Sequence, residues 1–342
     1  MYNEIGSEFW QKYDKSNDVD ENEVILLSGR TALDFIIRDL KASGVFNSIM
    51  LPLYCCDSMI EPFIRNDIDV SFYPVSHKKI DFYENNKDAI LLLDYFGYVN
   101  DEVTKIANRA KDNGQIVIYD ATHYLGKRKI AADYSFRSLK KWFFCNYASA
   151  KKENGSWLIP YPNQTNIIYV ENRNTAAKLK TKYISQGIGE KSVFLNMFSS
   201  AEMILQKDYS NYYGEKVVCD ISNIAEIRRA NARRLIDGLC EIKEITFWRN
   251  QIEDIDTPLF VPILVQENIR DELRRYLMEH QIYCPIHWPI SRLHSQINGL
   301  FKSELSLICD QRYSFEDIDR EIEVVKNFFN GGKIHGNESI YN

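Results

Sequence analysis

Short apolar runs alternate with amphipathic helical segments over the first 125 residues, and this alternation leaves few folds open to the chain. Val24–Leu27 is a strand that runs into Ser28-Gly29-Arg30. Beyond it Leu33, Ile36, Ile37 and Leu40 recur at helical spacing. A strand over 47–53, broken by Pro52, precedes a helix over 57–66 and a strand at Val70–Tyr73. Ile90–Leu93 is apolar throughout, the pattern of a strand covered on both faces of a parallel sheet. A helix over 101–113 stops at Asn113-Gly114, a C-cap signal. The strand Ile116–Tyr119 then delivers Asp120 at its carboxyl end. The pattern predicts an α/β unit with a largely parallel sheet, whose ligands sit beyond the carboxyl ends of the strands.

From about 167 to 240 the sequence reads as helical. Its apolar stretch around 190–205 suits a core helix or a partner surface. From 258 the character changes to strand Leu259–Val265, helix 269–280, strand Ile282–Ile286 and a final helix over 315–329. We divide the chain into an N-terminal arm or helix (1–22), a large domain (23–240), a small C-terminal α/β domain (241–330) and a polar tail (331–342). At 342 residues the chain is long enough to bury a core without staples.

Hydrophobic residues at 45% and charged ones at 26% describe an ordinary globular chain, and a net charge of -6 argues against general nucleic-acid binding. The basic run Lys127–Lys129 reads as a solvated loop. Seven cysteines form no CxxC pair and no closed disulfide set, and no metal is expected. No signal peptide and no membrane-spanning run is visible, so a reduced cytoplasm is the expected compartment.

Three segments carry candidate chemistry. In LLSGRTAL, residues 26–33, Gly29 lets backbone approach a ligand, and the free N–H groups at the helix start suit a phosphate, with Thr31 adding a hydroxyl. The same residues also suit an ordinary strand–helix turn. In IVIYDATHYLG, residues 116–126, Asp120 ends a buried strand and needs a partner: a pyridinium N–H, an Arg or a helix cap. His123 follows it, as a ligand contact or a structural residue. In DYSFRSLKKWFF, residues 133–144, Lys140 and Lys141 stand beside Trp142, with Ser135 and Ser138 upstream. A buried Lys shifts toward neutrality, as imine chemistry requires, whereas an exposed pair is a surface turn.

In this order and spacing the segments resemble the DegT/StrS-type sugar aminotransferases, which depend on pyridoxal phosphate (PLP). The resemblance rests on Gly29-Arg30-Thr31-Ala32-Leu33, Phe96-Gly97, Asp120-Ala121-Thr122-His123 and Ser138-Leu139-Lys140-Lys141-Trp142. IYCPIHWP at 282–289 and DQRY at 310–313 extend it over roughly residues 24–330. It implies a fold-type-I α/β architecture: a mixed, mostly parallel seven-stranded sheet flanked by helices, plus a smaller C-terminal domain. It also implies a homodimer that moves an amino group from an amino acid such as glutamate to a keto-sugar nucleotide.

The resemblance further assigns roles. Lys141, with Lys140 as the alternative, forms the internal aldimine and shuttles the proton. Asp120 keeps the ring nitrogen protonated. Gly29, Arg30 and Thr31 hold the phosphate together with Ser135 or Ser138. His123 lies on or beside the ring, Tyr54 is the stacking aromatic, and His287 and Arg312 approach the substrate. Two family features are missing. Cys145-Asn146-Tyr147-Ala148-Ser149 replaces the glycine-rich segment after the lysine, and no Gly-x-Asn-x-Arg motif is evident. A member that binds PLP or a sugar without transamination, or one catalysing another PLP reaction, therefore stays open.

Overall fold

The apolar run at 90–93 lies inside a seven-stranded sheet in the computed structural model, which describes residues 4–11, 23–44, 46–81, 83, 85–216 and 221–331. Most of the expected N-terminal arm (12–22) and tail (332–342) lies outside the described residues. In chain order the elements begin with β1 (Ile5–Gly6), β2 (Glu23–Leu26), α1 (Gly29–Ala42), β3 (Ser48–Pro52), α2 (Asp57–Arg65) and β4 (Asp69–Tyr73). They continue with β5 (Ala89–Leu93), α3 (Asp101–Asp112), β6 (Ile116–Asp120), β7 (Tyr134–Ser138) and β8 (Ala148–Lys152). Three helices follow, α4 (Ile167–Gln186), α5 (Lys191–Lys207) and α6 (Ile221–Leu239). The last part holds β9 (Thr246–Phe247), β10 (Val261–Leu264), α7 (Glu267–Glu279), β11 (Ile282–Tyr283), α8 (Leu300–Ser303), β12 (Glu304–Leu307) and α9 (Phe315–Phe329).

The large sheet has the order β2-β8-β7-β6-β5-β3-β4. Only β8 runs against its neighbours. All five residues of β5 are buried, as a strand covered on both faces requires. Helix α1 starts where the Ser28 side chain accepts a hydrogen bond from the Thr31 amide at 3.2 Å, and its apolar face packs on β7 and β8. The expected mostly parallel α/β sheet is therefore present.

A second core lies under the three-stranded antiparallel sheet β12-β10-β9. Ala232, Leu235 and Leu239 of α6 pack there with Ile263, Leu305 and Phe328, so α6 belongs physically to this core although it precedes residue 240. Strand β11 is only two residues long rather than the 282–286 read from sequence. Pro285 has no N–H to extend a ladder, and its carbonyl instead accepts from the Ser306 amide at 3.0 Å. β11 pairs in parallel with β1 in a separate two-stranded sheet, which ties the N-terminal segment to the C-terminal part of the chain. The run 127–129 is not wholly solvated: the Arg128 guanidinium is buried and lies 3.1 Å from the buried Asp94 carboxylate. Among the described residues no helix is long and apolar enough to cross a membrane.

Candidate active site

Strand β6 carries Asp120 to its carboxyl end, where the side chain is 5% exposed. One carboxylate oxygen accepts the Thr122 amide at 2.8 Å, and the Thr122 hydroxyl is a second hydrogen-bond partner of the carboxyl. Burial pushes the Asp120 carboxyl up to about 6, opposed by the Thr122 hydrogen bonds and, more weakly, by the Lys141 ammonium. The acid therefore sits unneutralised at the mouth of the sheet, where a buried carboxylate needs a positive or N–H partner.

The two lysines occupy a single turn of 3-10 helix, Leu139–Lys141, that follows β7. Trp142 anchors it: the indole is fully buried, donates to the Thr122 carbonyl at 2.9 Å and stacks under Arg228 at 4.5 Å. From that turn the lysines diverge. Lys140 Nζ lies 2.8 Å from Glu202 Oε1. Lys141 Nζ makes no hydrogen bond or ion pair among the described residues, and burial lowers its pKa from the usual lysine value.

Alternation along β7 separates the two serines. Tyr134, Phe136 and Ser138 share the buried face, while Ser135 and Arg137 point the other way. Ser135 donates to Glu153 at 2.9 Å on that opposite face. Ser138 Oγ is buried and without a hydrogen-bond partner. Gly29 lies against it, and a Cβ on Gly29 would stand 3.4 Å from Ser138 Cβ, so glycine keeps room above the helix start. Arg30 Nε is likewise buried without a hydrogen bond. Thr31 is turned away: its hydroxyl lies 2.9 Å from Ser28 Oγ, inside the cap.

Gly29, Arg30, Asp120, His123, Ser138 and Lys141 together line a cavity of about 260 Å³. His123 Nδ1 accepts from the Phe96 amide at 3.3 Å, which leaves the ring proton on Nε2. Burial, with Lys141 nearby, lowers the His123 pKa to about 3 and keeps the ring neutral. The Phe96-Gly97 turn that holds it has positive φ at both residues. Trp288 stacks on His123 with ring centres 5.6 Å apart. Tyr54 is not in this wall. It is fully buried among Tyr95, Trp248, Trp288 and Phe301.

A second chamber of about 300 Å³ shares Lys140 and Lys141 with the first, and His287 and Arg312 line it. Arg312 is already paired with Asp310 through two hydrogen bonds of 2.8 and 2.7 Å, and it packs 3.9 Å from the Phe9 ring centre. Gly6, Ser7, Glu8 and Phe9 complete this wall from the N-terminal segment. The sequence reading missed Glu202, Thr122, Trp288 and Cys56, all of which line the first cavity. Glu202 carried a signal: it is an acid between Ala201 and Met203 in an apolar helical run.

This architecture is the fold of the sugar aminotransferases. The chain superposes on PseC of Helicobacter pylori, an aminotransferase involved in the biosynthesis of pseudoaminic acid, with a TM-score of 0.63, 14% identity, and coverage of 90% of this chain and 86% of that one. DesI, solved in the presence of its TDP-sugar product, gives 0.60, 11% identity and coverage of 91% and 81%. NtdA of Bacillus subtilis, solved with bound cofactor PMP, gives 0.61, 14% identity and coverage of 90% and 73%. No family model matches the chain, and no curated protein matches its sequence.

Proposed function

We propose that the chain is a PLP-dependent aminotransferase that moves an amino group from an amino-acid donor, glutamate or a close analogue, to a keto-sugar nucleotide. One observation carries this reading: Lys141, with an unpaired amine, and Asp120, a buried carboxyl with no cation paired to it, line one cavity together with the unpartnered Ser138 hydroxyl. A phosphorylated pyridine aldehyde matches each of these groups. Lys141 Nζ would hold its aldehyde carbon covalently. Asp120 would pair with a protonated ring nitrogen. Ser138, the Gly29 backbone and Arg30 would bind the phosphate, and His123 would lie beside the ring.

When bound, the cofactor supplies an electron sink for the substrate carbon that loses its proton. The remaining work falls to the chain. Lys141 takes the proton from that carbon and returns it, because burial leaves its amine closer to neutral than an exposed lysine. Glu202 fixes Lys140 and stops it competing for the same role. The second chamber, which opens beside Lys141, would hold the sugar. Crystals of DesI with a TDP-sugar and of NtdA with PMP support the substrate and cofactor classes.

The reading includes a homodimer. Ile167 and Ile168 of α4 and Val193 and Met203 of α5 are exposed apolar residues on adjacent helices, which suits a second copy of the chain. The test is to add PLP to the purified protein, trap with borohydride and map the adduct, then supply glutamate. A stable adduct on Lys141 and conversion to the pyridoxamine form are expected. A colourless protein with no adduct on either lysine overturns the reading, and a strictly monomeric mass overturns the dimer.

A further inference from the structure

His287 lines the second chamber from the loop that follows β11, and its ring is backed by a buried polar chain. His287 Nδ1 lies 2.9 Å from Ser306 Oγ, and Ser306 Oγ lies 2.5 Å from Glu304 Oε1. Glu304 Oε2 accepts the backbone amide of His287 at 2.6 Å, which closes the loop. Ser306 and Glu304 share one face of β12, two residues apart, so the strand itself sets their spacing. All three residues are buried: Ser306 is 0%, Glu304 1% and His287 4% exposed. His287 lines the chamber, and its ring hydrogen-bonds through Nδ1, with no partner to Nε2 among the described residues.

A satisfied structural histidine would need one such contact. Here the contact continues to a carboxylate that no cation neutralises. The titratable groups facing it are Tyr54, Cys284 and Arg270, and Arg270 donates to the Glu304 backbone carbonyl at 3.2 Å rather than to its carboxylate. The groups facing His287 are Lys141, His123 and the rings of Phe96, Phe260 and Trp288.

We propose that Glu304, Ser306 and His287 form a proton relay whose working end, His287 Nε2, handles the carbonyl oxygen of the substrate. The proposal rests on the aminotransferase reading above. When an amine nitrogen bonds to the carbonyl carbon, a C–N bond forms and the C–O bond breaks, and the oxygen leaves as water. Both hydrogens of that water are lost by the nitrogen, so a group beside the carbonyl must take each proton from nitrogen and pass it to oxygen. His287 ends the cycle as it began. Lys141 stays committed to the proton at carbon.

The relay decides what Nε2 presents. With Glu304 ionised, the chain runs from Nδ1–H to Ser306 Oγ and from Oγ–H to Glu304, and Nε2 offers a lone pair. With Glu304 protonated, the chain reverses and Nε2 offers a proton. Burial pushes the Glu304 carboxyl up to about 8, which puts this reversal within reach of neutral pH. Ser306 and Glu304 are positioning residues, because they act only through the ring.

Two measurements test the relay. The first is nitrogen-15 NMR of the histidine rings in the cofactor-free protein. Ser306→Ala should shift the Nδ1–H to Nε2–H tautomer balance of His287, while Ser306→Thr, which keeps the hydroxyl, should restore it. The second is turnover of the loaded enzyme. His287→Gln should lower kcat by on the order of 10²–10⁴-fold, and Ser306→Ala should displace one limb of the kcat–pH profile with KM unchanged. An unchanged His287 tautomer in Ser306→Ala, or full kcat in His287→Gln, overturns the relay. A responsive tautomer in a protein with no transaminase activity upholds the hydrogen-bond chain but overturns its assignment to carbonyl chemistry, and with it the aminotransferase reading.

Discussion

Lys140 directs its ammonium to Glu202, 2.8 Å away, while Lys141, the next residue, meets no counter-ion among the described residues. Burial alone would push Glu202 up, yet Lys140 and Arg173 hold its carboxyl down to about 2, so this ion pair is settled before any ligand arrives. Lys141→Ala should therefore abolish the borohydride-trapped adduct and lower turnover by on the order of 10²–10⁴-fold. Lys140→Met should keep the adduct on Lys141. Peptide mapping after reduction checks both.

Asp120 makes a prediction about stability as well as binding. Its folded pKa, about 6, lies above its usual value of 3.8, so the folded cofactor-free protein favours the protonated acid. Stability falls as pH rises from about 4 through 6, and the ionised carboxylate then costs about 3 kcal/mol. Asp120→Asn keeps the acceptor for the Thr122 amide and removes that cost. The cofactor-free variant should be the more stable protein at pH 8, with the gap closing below pH 4, and it should bind PLP more weakly. Urea denaturation at both pH values measures it.

Ser138 and Ser135 give a matched pair. Removing an unpartnered hydroxyl should leave the cofactor-free Ser138→Ala protein within about 0.5 kcal/mol of the parent. A hydrogen bond to a charged phosphate is worth roughly 1.5–3 kcal/mol, so its PLP affinity should drop by about 10- to 100-fold. Ser135→Ala loses only the contact with Glu153 on the opposite face and should bind PLP normally. Fluorescence titration of both variants reads the difference.

Gly97 sits at φ +84°, and a Cβ there would stand 1.9 Å from the Thr257 carbonyl oxygen and 2.8 Å from that of His123. The turn also accepts the Thr257 and Leu259 amides and donates to the His123 ring. Gly97→Ala should cost about 2–6 kcal/mol, the sum of backbone strain and overpacking. Thermal unfolding measures that loss, and weakened PLP binding should accompany it.

Much of the frame was legible in the sequence because it depends on local periodicity. The apolar run at 90–93, the helix over 315–329 and the delivery of Asp120 by strand 116–119 all follow from residue spacing. Strands β7 and β8 were not read, since YSFRS and ASAKK carry too little apolar character to mark them. Without β7 as a strand, the parity that sends Ser138 inward and Ser135 outward could not be seen. Tyr54 shows the same limit: its place near the site was legible, but its ring joins an aromatic cluster built from Tyr95, Trp248, Trp288 and Phe301, residues far apart in the chain.

The sequence by itself determined the alternation of strands and helices, the glycine turn before α1, the acid at the end of strand 116–119 and the adjacent lysine pair before Trp142. Those features are set by neighbours within a few residues. Only the tertiary structure decided which lysine is free, which serine meets the cavity, and that His287 is backed by Ser306 and Glu304. Each of these depends on a partner at long sequence distance, as Glu202 is to Lys140 or Ser306 to His287, and packing alone brings such pairs within hydrogen-bond range.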